Sequence, residues 1–215
     1  MVPPTSQPAT TTTTAPRAPL EVSVAVDRAV TEAAEANGIV RWSSDRLTAT
    51  VEGSATPRDL EILSAAAGEL GQAAGLEIDV GAHPDPDIRL LFAPRPTWPD
   101  DLQEITDHVL GVTRSTWAAD GRLEEVRVAV DSTIGQAARN RTIVHELVHA
   151  LGVGHVTCPT SVVLGGGDGD PGWSLSPLDH DLVATWYAPQ LAPGTDAVGV
   201  GAELVVVPGG PDCEP

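Results

Sequence analysis

Apolar positions along this chain switch repeatedly between a period near two and a period near 3.6, the repeats of a strand and of an amphipathic helix. The stretch "VSVAVDRAVTEAAEANG" (22–38) predicts a helix at its centre, stopped at Asn37-Gly38. "RLTATVEG" (46–53) alternates and ends in glycine, as a strand does. "SATPRDLEILSAAAGELGQAAG" (54–75) carries its own start and stop signals. Thr56 is the N-cap, Pro57 the first helical residue and Gly75 the stop. Leu60, Leu63, Ala67 and Leu70 are expected to share its apolar face. "LEIDVGA" (76–82) and "DIRLLFAP" (87–94) predict two more strands. In "LGVTRSTWAADGRLEEVRVAVDS" (110–132), two β-rich runs flank Asp120-Gly121, a hairpin turn signal. Thr133 to Leu151 reads as one long helix.

Beyond Gly152 the texture changes. "VGHVTCPTSVVLGGGDGDPGW" (153–173) has the Gly and Pro content of a loop. "LSPLDHDLVATWYAP" (175–189) predicts one more helix, with Ser176 as N-cap and Pro177 first. The tail from Gly194 is expected to be irregular, with at most a strand at Glu203–Val207. Strand, helix, three or four strands, helix is an α/β (α+β) layout: one twisted mixed sheet, two main helices and a small irregular C-terminal part with one helix. The 215 residues suit a single domain at 20–215, divided near residue 152 into an upper and a lower part. Residues 1–19 are Thr/Pro-rich and read as a disordered linker.

Charge narrows the partners. The formal net charge is −18, and every basic residue is arginine. Nucleic acids and anionic membrane surfaces need a basic footprint, so neither is expected as a partner. No run of 18 apolar residues is present, so no membrane insertion is expected. The opening residues lack the basic and apolar regions of a signal peptide. They resemble the stalk that follows a secretion signal or an anchor, so a secreted or cell-envelope protein is expected, as a monomer. The two cysteines, Cys158 and Cys213, are compatible with a disulfide or with two unrelated thiols, and a stalked, secreted chain favours the disulfide.

The chemistry sits in "TIVHELVHALGVGH" (142–155). Three of the six histidines fall within eleven residues there. On a helix, residues four apart lie about 40° apart in projection, so His145 and His149 point two imidazoles the same way. Zinc accepts neutral imidazole and keeps an open position when three protein ligands bind. Glu146 is about 100° round from His145. That is too far round for a natural ligand, but within reach of a water at the metal, as a general base requires. On a continued helix His155 would face away, about 280° from His145. It can ligate only if the chain turns at Gly152, where glycine takes positive φ without steric cost. His145, His149 and His155 are therefore the metal ligands expected here, Zn2+ the cofactor, and Glu146 the catalytic residue. Structural histidines on a half-buried helix are the alternative, and the placement of Gly152 and His155 weighs against it.

These residues, in the order H-E-x-x-H-x-x-G-x-x-H, resemble the signature of the metzincin clan of zinc peptidases, in its bacterial matrixin-like form. The resemblance extends over roughly Leu47 to Pro189 and is specific only at His145 to His155. It implies a metzincin-like catalytic domain whose sheet, backing helix and active-site helix precede a "Met-turn" under the metal. By spacing, Val163 takes the place of that methionine, since the only methionine is Met1. Valine is apolar but shorter, which leaves the floor looser or repacked. Gly165 stands where some members carry a tyrosine ligand.

The expected function is zinc-dependent endopeptidase action on protein or peptide, with substrate extended along an edge strand, for which Gly111–Trp117 is the candidate. The alternative is a non-catalytic, zinc-containing binding protein of the same fold. A structural site has no need of Glu146, which favours the enzyme. "GGGDGD" (165–170) lacks the ligand ladder of a known calcium loop. His83, His108 and His180 read as surface residues, and Trp42, Trp98, Trp117, Trp173 and Trp186 as core or pocket wall.

Overall fold

The structure is a computed structural model that describes residues 17–103, 109–165, 174–211 and 213. Most of the Thr/Pro-rich segment, His108, Trp173 and the glycine-rich run after Gly165 lie outside the described residues.

The architecture is mixed α/β. Strands β2 (Arg46–Gly53), β3 (Glu77–Val80), β4 (Ile88–Ala93), β5 (Gly111–Trp117) and β6 (Leu123–Asp131) form one sheet in the order β3-β2-β4-β6-β5. All neighbours are parallel except β5, which pairs antiparallel to β6 and forms an edge. Helix α1 is Val24–Ala34, α2 is Pro57–Ala74, α3 is the short Asp100–Gln103, α4 is Gln136–Ala150, α5 is Pro177–Trp186 and α6 is Ala197–Glu203. A two-stranded parallel sheet joins β1 (Leu20–Val22) to β7 (Leu204–Val206).

Local signals set the boundaries. Thr56 caps α2 in a capping box with Asp59, and Gly75 ends it at φ +70°. Ser176 and Asp179 form the same box on α5. Helix α4 starts at Gln136, three residues later than the sequence pattern predicts, because the Thr133 N–H and hydroxyl both donate to the Asp131 carboxylate and hold a turn there. The buried face of α2 is Ile62, Leu63, Ala66, Ala67 and Leu70, whereas Leu60 is 41% exposed. Leu60 lies roughly 100° round from Asp59, and Asp59 faces inward to pair with Arg139 at 2.9 Å. This ion pair is nearly dry, and Gln136 and Thr56 also donate to Asp59, so the carboxylate is fully engaged.

Periodicity did not indicate β1 or α6, which makes the C-terminal part more regular than expected. Three-residue β1 is too short to show a period. The α6 sequence "AVGVGAE" has two glycines, and Asp196 starts it by accepting from Gly199 N–H. With β7, these elements close over α1: the chain's first and last described elements pair, and α1 packs on α5 and α6. Most of the buried apolar residues form one large cluster running through both halves of the chain, including Leu47, Leu63, Phe92, Leu147, Val163 and Trp186, and Trp98, Leu102, Val112 and Ala129 form a second, smaller one. No described helix is long and apolar enough to cross a membrane.

Candidate metal centre

Helix α4 carries the site because its two faces do different work. Ile143, Val144, Leu147 and Val148 are buried in the core, which fixes the helix and leaves His145 and His149 on the side that faces β5 and the following loop. The helix ends at Leu151, and Gly152 turns the chain at φ +88°. A Cβ on Gly152 would lie 1.8 Å from the Val40 carbonyl oxygen, so this bend admits glycine alone. Two carbonyls left open at the helix end are satisfied by side chains. Trp42 Nε1 donates to Ala150 and the Tyr187 hydroxyl donates to Leu151, each at 2.9 Å. The chain returns with His155 beside the helix.

The sequence-predicted ligands converge. Nε2 of His145 lies 3.0 Å from Nε2 of His149 and 3.3 Å from Nε2 of His155. Two nitrogens at tetrahedral positions on one zinc stand ~3.3 Å apart, given bonds of about 2.0–2.1 Å. The donor set and its spacing therefore fit such an ion.

The tautomers strengthen the fit. His145 Nδ1 lies 2.7 Å from the Val162 carbonyl and His149 Nδ1 lies 2.7 Å from the Val153 carbonyl. A carbonyl only accepts, so both Nδ1 atoms carry the proton and, in the neutral ring, both Nε2 atoms present lone pairs. Burial, the largest influence, lowers His145 to about 4 and His149 to about 3, and the neighbouring histidines push the same way. His155 is also lowered by burial. At neutral pH the site thus holds bare nitrogens crowded together, which repel unless a cation lies among them. Carbonyl contacts of this kind orient metal-bound histidines.

Glu146 is buried and lines a cavity of about 380 Å³ together with the three histidines. Burial raises its carboxyl to about 7, and a 2.8 Å hydrogen bond from the Thr113 hydroxyl opposes the shift. Thr113 lies on edge strand β5 and also stands 3.0 Å from the Glu146 carbonyl. Gly111 on the same strand lets the side chain in, since a Cβ there would come within 2.9 Å of Glu146 Oε1. Neither residue belongs to a motif, so the sequence reading missed both.

Val163 is completely buried. Its segment supports the site through Val162, whose carbonyl holds His145. Asp179 anchors that segment. Its carboxylate accepts from Ser161 Oγ at 2.6 Å, from Val162 N–H and from Ser176. The sequence reading assigned no role to Asp179, which is fully buried. The S-x-x-D capping box was the available signal. Cys158 and Cys213 form a disulfide that ties the tail to the loop after His155.

The remaining candidates are scattered. His83 is partly buried near Asp79, and Trp42, Trp98 and Trp186 are core residues. Trp117 is 43% exposed on a cavity wall beside the histidines. Among the described residues, His145, His149 and His155 form the one group arranged to hold a metal ion. No family model and no curated protein matches this sequence.

Proposed function

We propose that the protein is a metzincin-like zinc endopeptidase that cleaves peptide bonds in protein or peptide substrates. The observation supporting this reading is the convergence of three histidine Nε2 atoms next to a buried carboxylate that lines the same cavity and, among the described residues, has no side-chain partner beyond Thr113. Zinc bound by His145, His149 and His155 supplies Lewis acidity and makes a water near it more acidic. Glu146 takes up the proton of the attacking water and later delivers it to the leaving amine. Thr113 aims the carboxylate and serves it in either state: its hydroxyl donates to Glu146 when charged and accepts from it when protonated. The open edge of β5 binds substrate backbone by strand addition and holds it across the histidines. The disulfide favours work outside the reducing cytoplasm, in a secreted or cell-envelope setting.

The test combines zinc content with cleavage of a denatured protein, in wild type and in Glu146→Ala. One zinc per chain in both proteins, with cleavage lost in the variant, is expected. Zinc in both and cleavage in neither would instead make this a zinc-containing binding protein.

A further inference from the structure

The cavity described above occupies one flank of the histidines. A larger cleft of about 660 Å³ opens on the other flank, between the second half of β5 and the C-terminal end of α1. His149 and His155 are on its wall, so a peptide lying along β5 across the histidines enters it. The cleft has two chemical features. Trp117, at the far end of β5, exposes 43% of its surface there, and no described cation lies over its ring. Opposite is the C-terminal end of α1, the negative end of its helix dipole, where the last turn has no basic residue. Glu32 and Glu35 are both on this wall. Glu32 is engaged by Arg28 and Thr157, whereas the exposed Glu35 has no ion-pair partner among the described residues. Arg114 also lines the cleft and is its one arginine among the described residues, but by strand alternation its side chain leaves β5 on the face of Val112, opposite to those of Thr113 and Ser115, so the two glutamates outnumber it.

We infer that this cleft is a recognition site for a basic side chain, arginine or lysine, on the substrate segment to that side of the scissile bond. The inference rests on the peptidase reading. A cation seated against the Trp117 ring face gains from the ring quadrupole. Glu35 and the negative end of the α1 dipole supply the opposite charge. The chain's net charge of −18 draws basic peptides towards the whole surface, while the cleft selects a position within them.

Binding separates this inference from catalysis. The probes are blocked decapeptides of Ala, Ser and Leu with one arginine, moved position by position, each paired with a citrulline twin that keeps shape and loses charge. Affinities are measured on zinc-loaded Glu146→Ala, which leaves the peptide intact. At one preferred position the arginine peptide is expected to bind about tenfold tighter than its twin. That ratio is expected to fall towards one when Glu35→Gln or Trp117→Leu is added, both being exposed positions where folding is little affected. Equal affinities at every position, no binding of any peptide, or a ratio that survives both substitutions would overturn the proposal. Arginine-selective binding without cleavage by wild type would sink the peptidase reading and leave the cleft. Cleavage by wild type with no basic preference would do the reverse.

Discussion

At the scale of single residues, the site is governed by dehydration. Burial holds His145 and His149 neutral and raises Glu146 to about 7 in the metal-free protein. The stability consequence of Glu146 has a definite sign. A carboxyl raised above its unfolded value near 4.5 favours the folded state fully below pH 4.5. That contribution is lost as pH rises through 7. Glutamine cannot ionise, so metal-free Glu146→Gln should match wild type near pH 4.5 and become more stable above pH 7, by a few kcal/mol. Thermal melts of both proteins across that range, in chelator, check this. A gap that closes with rising pH would show that Glu146 is not desolvated as described.

Among the elements, α5 has a task its sequence does not announce. Asp179 caps its own helix and at the same time anchors the turn whose Val162 carbonyl holds His145. Changing Asp179 to Asn replaces an acceptor with a donor facing N–H and O–H donors. It should cost about 2–4 kcal/mol, read by urea unfolding. It should also speed zinc loss to a chelator, because His145 loses its fixed orientation. Lower stability with unchanged zinc release would confine Asp179 to the fold. Edge strand β5 is a second element with two tasks. It ends the sheet, pairing only with β6, and its Gly111 and Thr113 shape and steer Glu146.

For the whole molecule, the ends of the chain matter to a site in its middle. Parallel pairing of β1 with β7 and the Cys158–Cys213 bridge fasten the tail under the loop that presents His155. Replacing both cysteines by serine should lower stability by about 2–4 kcal/mol. Because the bridge joins the loop three residues past His155 to the tail, zinc affinity should fall with it. Denaturant unfolding with and without zinc checks both effects, and an unchanged midpoint would show that packing alone holds the tail.

The local features of this protein are encoded in short stretches of its chain. Helix α2 could be read to the residue, because Thr56, Pro57 and Gly75 act through backbone geometry that needs no distant partner. The hairpin around Asp120-Gly121, the edge candidate β5 and the bend at Gly152 were legible for the same reason. So were His145, His149 and His155, since a helical repeat followed by a glycine turn nearly fixes their convergence. Tertiary structure decided what depends on pairing across the chain. Asp59 turned Leu60 outward because an arginine 80 residues away needed it. Asp179 was buried by a loop that no period reveals. Thr113 and Gly111 acquired their roles when β5 came to lie against α4. Strand β1 exists only through β7, more than 180 residues later. Interactions within a turn or two of helix are encoded next to the residues they serve, whereas the partners of a buried polar group are chosen by the fold.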